Sequence, residues 1–128
     1  MGNGTPIGRV RGLGAAHAGP RHWFHQRVTA AGNLLLMTWF LVSLARLPSL
    51  DHQNIVLWLS TPFTAVPLVL LTLSVFYHLR LGLQVIIEDY VTESVKLTLT
   101  LLANAYVIGA VTLCLFSILK IGFGGVKA

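Results

Sequence analysis

The residue best placed to do chemistry is His78, an imidazole set in an otherwise apolar stretch. Ionisable side chains inside a membrane span are costly, so each is a functional candidate by default. Gly82, Val85 and Asp89 follow His78 at i+4, i+7 and i+11. At about 100° per residue, these positions share one face of a helix. A flat macrocycle bound axially to an imidazole must pass over the next turn of helix. A side chain at i+4 would obstruct it, and glycine does not. His78-x-x-x-Gly82 therefore fits haem ligation, with a neutral imidazole satisfied by one interhelical hydrogen bond as the plainer alternative. Six-coordinate haem takes two axial ligands. No second histidine lies deep in an apolar segment, since His17, His22, His25 and His52 all fall in or beside connections. The second ligand is expected from another chain, with His25 as the in-chain alternative.

Asp89 and Tyr90 close the same segment. A phenol and a carboxylate at a membrane boundary suit a quinone. The phenol can donate a hydrogen bond to a quinone carbonyl, and the carboxylate can orient the ring and help supply protons. Solvated loop residues and an aromatic belt are the ordinary alternative. Arg27 and Arg80 are expected on the same side of the membrane as Asp89, and a guanidinium pairs well with a planar carboxylate. Either could hold haem propionates. Topological signalling for Arg27 and snorkelling for Arg80 are compatible with that role.

The elements that must position these groups follow from the charges. Only 10% of the 128 residues are charged, against about 25% in soluble domains. Uncharged runs of 18, 28 and 23 residues separate Arg27 from Arg46, Asp51 from Arg80, and Lys96 from Lys120. A spanning helix takes roughly 20 apolar residues. The chain is therefore expected to be an all-α membrane protein of three transmembrane helices, at about 23–45, 61–87 and 95–119. These form a single domain over 23–121, between an irregular arm at 1–22 and a short tail at 122–128. Thr61-Pro62 suits a helix start, with Thr61 as the cap. Pro67 is expected to kink the second span. Ala105 and Gly109 form a small-xxx-small pair that permits close helix contact.

The net charge of +5 is read as topology and not as nucleic-acid binding. Arg9, Arg11, Arg21 and Arg27 precede the first span without an acid among them. With Arg80 and Lys96 they make six basic residues, against three in Arg46, Lys120 and Lys127. The positive-inside rule then puts the N-terminus inside and the C-terminus outside. The first 22 residues lack the apolar core of a signal peptide. Cys114 is the lone cysteine, which excludes a disulfide scaffold. No span carries the breaks and polar lining of a transporter's substrate site.

Taken together, His78-x-x-x-Gly82-x-Gln84-Val85-Ile86-x-x-Asp89-Tyr90-Val91 resembles the signature of the D-type hydrophobic membrane anchor subunits of succinate dehydrogenase, complex II. The stretch His22-Trp23-Phe24-His25-Gln26-Arg27-Val28-Thr29-Ala30 looks like that family's approach to its first span. The resemblance implies half of a heterodimeric haem-binding helix bundle in a bacterial or mitochondrial inner membrane. The partner would be a C-type cytochrome b anchor subunit, with one haem b shared between the two. His78 matches the axial ligand, Gly82 the haem-packing position, Arg27 a residue near the propionates, and Tyr90 with Asp89 the quinone-binding pair. An iron–sulfur subunit and a flavoprotein subunit would dock on the inner face, carrying the clusters and the FAD. Electrons would pass to ubiquinone near Tyr90, within the tricarboxylic acid cycle and respiratory electron transport. No catalytic residue is expected in this chain alone. The alternatives are the anchor of a fumarate reductase and a cofactor-free three-span assembly protein. Arg80 has no position in the family pattern.

Overall fold

A computed structural model describes residues 19–124, which form four helices and no strands. α1 spans Gly19–Ala45, α2 His52–Leu59, α3 Pro62–Tyr90 and α4 Glu93–Gly124. Arg9, Arg11 and His17 of the arm and Lys127 of the tail lie outside the described residues.

The three long helices are each apolar and long enough to cross a bilayer. Helices are the natural solution there, because every backbone polar group must be satisfied within the segment. α3 has 29 residues, so it is about 43 Å long at 1.5 Å per residue. That exceeds the ~30 Å hydrocarbon core, and the helix must tilt or protrude.

α3 is the central helix. It packs against α1 on one side and α4 on the other, and α1 and α4 do not touch. Both contacts are antiparallel: Gly32 and Thr29 of α1 meet Ser74 and His78 of α3, while Ala65 and Arg80 of α3 meet Gly122 and Asn104 of α4. Thr64, Leu68, Leu71, Leu81 and Ile87 are buried on α3, and Val107 on α4. Most other large apolar side chains on the long helices face outward, among them Leu34, Leu35, Leu101 and Phe116. In water such a surface would be untenable; against lipid tails or another subunit it is what the helices require. A Cβ placed on Gly32 would lie 3.7 Å from Ser74 Oγ, and one on Gly122 would lie 3.7 Å from the Ala65 methyl. Glycine thus marks close approaches in both helix pairs.

Several details differ from expectation. The connection between the first two spans contains α2, an added helix of eight residues. Asp51 caps it by accepting from the Asn54 backbone N–H, and binds the Asn54 side-chain amide at 2.7 Å. α2 packs on α3 and α4, and the ring of Trp58 lies 6.1 Å from that of Phe40. Thr61 occupies the N-cap position of α3, but its hydroxyl contacts the Trp58 carbonyl and the Thr64 hydroxyl, not a helix amide. Pro67 lies inside α3 without ending it. Ala105 and Gly109 are exposed, and a Cβ on Gly109 would meet nothing within 4 Å. The pair therefore makes no close helix contact among the described residues. α4 buries Val107 instead, and residues two positions either side of it lie about 200° away.

Candidate functional site

The histidines and charged residues of the long helices, Lys120 excepted, lie toward one end, where α1 begins, α3 ends and α4 begins. On α1, His22, Gln26, Thr29 and Asn33 are half-buried. Their spacing of i, i+4, i+7 and i+11 makes one stripe along the helix. His78 of α3 is half-buried against it. Its Nδ1 lies 2.9 Å from Thr29 Oγ1. Thr29 Oγ1 also lies 2.8 Å from the His25 carbonyl and 3.1 Å from that of Gln26. Next to it, His25 Nδ1 is hydrogen-bonded to the Tyr77 hydroxyl at 3.1 Å. Two imidazoles are thus tied across the α1–α3 contact by hydroxyls, one from each helix.

Nδ1 of His78 is engaged by Thr29, which leaves Nε2 as the atom able to meet a ligand. A Cβ on Gly82, one turn further along, would meet nothing within 4 Å, so space beside that face is open. His22 Nε2 and Asn33 Oδ1 are buried without a hydrogen-bond partner among the described residues. Buried polar atoms of this kind are normally satisfied. An imidazole held by one nitrogen and a glycine leaving room at i+4 fit an axially bound haem. His25, the in-chain alternative for the second ligand, has its own Nδ1 engaged by Tyr77.

Arg27 is exposed, and its guanidinium lies 5.6 Å from the Trp23 ring centroid, within cation–π range. Arg80 stands two residues from His78, about 200° around α3. Its Nε donates to Asn104 Oδ1 at 2.7 Å, in a cleft between α3 and α4 that Gln84 and Thr100 also line. The structure thus engages Arg80 on the face away from the α1 contact. Gln84 donates to Glu88 at 2.8 Å, one turn before the end of α3.

α3 continues without interruption to Tyr90. Asp89 therefore keeps the helical register of His78, and Tyr90 sits about 100° away. Both are exposed, Tyr90 by 84%. Glu93 opens α4 and pairs with Lys96 at 2.8 Å. At that end a phenol, several carboxylates and an ammonium cluster beside open surface. The arrangement offers hydrogen-bond donors and titratable oxygens to a molecule arriving along the membrane.

Thr29, Tyr77 and Asn104 escaped the reading of the sequence. The four-residue polar stripe on α1 was the available signal for Thr29. The other two become visible only once the helices are paired.

Comparison with known proteins agrees with this picture. The family described as succinate dehydrogenase/fumarate reductase transmembrane subunit matches residues 1–119. A succinate dehydrogenase hydrophobic membrane anchor subunit from Rickettsia bellii is 33% identical over 111 residues, covering 86% of this chain and 87% of the relative. The protein of that name from Rickettsia conorii matches with the same identity and coverage. That from Paracoccus denitrificans is 22% identical over 122 residues, 95% of each chain. No solved structure gives a significant match.

Proposed function

The chain belongs to the succinate dehydrogenase/fumarate reductase transmembrane subunit family, and from that premise we propose that it is the hydrophobic membrane anchor of a succinate:ubiquinone oxidoreductase. The relatives above are named for succinate dehydrogenase, which favours this direction over fumarate reduction. The observation that carries the haem part is His78, held through Nδ1 by Thr29 beside the open face of Gly82.

A b-type haem, when bound, supplies one-electron chemistry. His78 would ligate it through Nε2, Gly82 would leave room for it, and Arg27 is available to a propionate. The second ligand would come from a C-type cytochrome b anchor subunit packed on the open side of the α1–α3 pair. On the inner face the chain would dock an iron–sulfur subunit, which carries the flavoprotein that oxidises succinate at FAD. Reducing a quinone to a quinol takes two electrons and two protons. The electrons arrive from the iron–sulfur subunit. Tyr90 donates a hydrogen bond to the quinone carbonyl and so favours charge building on that oxygen. Asp89 orients the ring and passes protons from the aqueous face. The chain sits in the inner membrane of a bacterium or a mitochondrion, with its N-terminus on the cytoplasmic or matrix side.

Tyr90→Phe tests the quinone role. The phenol is exposed, so removing its oxygen should leave folding intact. One hydrogen bond contributes about 0.5–1.5 kcal/mol, which corresponds to up to about tenfold in rate. Quinone reduction by the assembled complex should fall by that factor, while succinate oxidation with a soluble dye acceptor is unchanged. Equal quinone rates in variant and wild type would remove Tyr90 from the site.

A further inference from the structure

Thr29 has one hydroxyl hydrogen and three neighbours within bonding distance: the carbonyls of His25 and Gln26, and Nδ1 of His78. A carbonyl can only accept. Two oxygens 2.8 Å apart need a hydrogen between them, and only the hydroxyl can supply it, which places that hydrogen on α1 itself, in the back-bond that helical threonine makes to the carbonyl four residues earlier. The hydroxyl oxygen then faces α3 with a free lone pair. With the hydroxyl hydrogen so placed, the 2.9 Å contact across the interface calls for a hydrogen on His78 Nδ1.

We propose that Thr29 is a positioning residue that fixes His78 in its Nδ1–H form and so leaves Nε2 with the lone pair that binds haem iron. The proposal rests on the reading of His78 as an axial ligand and adds what selects its nitrogen. Metal-bound histidines generally donate their other N–H to an acceptor, which sets the tautomer, the ring orientation and the basicity of the ligand. Here the acceptor is itself anchored, because the hydroxyl is tethered to its own helix. The adjoining His25–Tyr77 hydrogen bond fastens α3 to α1 beside it. The imidazole is thus oriented by the helix pair before any partner arrives. A neutral hydroxyl acceptor also keeps the ligand an imidazole, where a carboxylate would draw it toward imidazolate.

The test compares T29V, nearly isosteric but without a hydroxyl, with T29S, which keeps the hydroxyl and loses the methyl. The whole complex is purified from membranes. Haem per complex, the ferric electron paramagnetic resonance signal and the haem midpoint potential are then measured. Loss of such an outer contact typically weakens a metal centre 10–100-fold, and T29V should loosen the haem by about that factor. It should also shift the ferric signal and raise the potential, because a less basic imidazole stabilises ferric iron less. T29S should restore all three. If T29V does not assemble, T29A replaces it as the hydroxyl-free variant. A hydroxyl-free variant with wild-type signal and potential overturns the proposal, and so does a T29S complex as altered as T29V. A wild-type complex with no b-type haem would instead remove the His78 reading, and this proposal with it.

Discussion

At the scale of single residues, the site depends on what each neighbour leaves free. Thr29 takes one nitrogen of His78 and leaves the other. Gly82 leaves a face of α3 bare. Arg80 is taken by Asn104 on the far face. The glycine can be tested alone. A side chain at position 82 meets none of the described residues within 4 Å of its first carbon, so Gly82→Leu should leave the helices assembled. It should nonetheless remove most of the bound haem, read as haem per purified complex, because the leucine fills the space over the next turn. Full haem content in Gly82→Leu would show that the macrocycle does not pass there. His78, Gly82 and Asp89 were legible in the sequence because helical spacing alone puts them on one face. Thr29 was not, because its role depends on which side of α1 meets α3. The fate of Arg80 was hidden for the same reason, since Asn104 lies 24 residues away and on another helix.

At the scale of elements, the three uncharged runs located the long helices, because burying charge in lipid is costly at every position. The ends were harder to place. α1 begins before Trp23, and α3 runs past Ile87 to Tyr90, as polar residues extend a helix readily once it leaves the hydrocarbon. α2 was missed because its eight residues, polar over His52–Asn54 and apolar only over Ile55–Leu59, lie between Pro48 and Pro62 and read as a loop. Its signals were the Asp51 cap and the apolar run after it. The antiparallel pairs place the start of α1, the end of α3 and the start of α4 at one end, and α2 with the end of α4 at the other. The proposed orientation follows from the basic residues at the first of these ends. A topology reporter fused after Ala128 should therefore read as outside, matching one inserted in the α1–α2 connection. A cytoplasmic or matrix signal from either fusion would reverse the orientation.

At the scale of the whole molecule, the fold is a single layer. α3 is flanked by α1 and α4, which do not meet, and large apolar side chains line the outward surfaces. Such a layer buries little of its own surface and is completed by lipid or by another subunit. The half-buried polar stripe of α1, which meets His78 through Thr29, has unpartnered atoms at His22 and Asn33 among the described residues. That is where a second anchor sharing a cofactor would have to contribute. Family membership shows a complex II transmembrane subunit, and the proposed assembly adds a second anchor that shares a haem and soluble subunits that deliver electrons to quinone. The most direct test of that claim is the reduced-minus-oxidised absorption spectrum of the complex purified through its soluble subunits, wild type beside His78→Ala. A b-type band in the wild type that is lost or severely weakened in the variant, with dye-linked succinate oxidation retained in both, is the predicted result. An undiminished b-type band in His78→Ala would contradict the account.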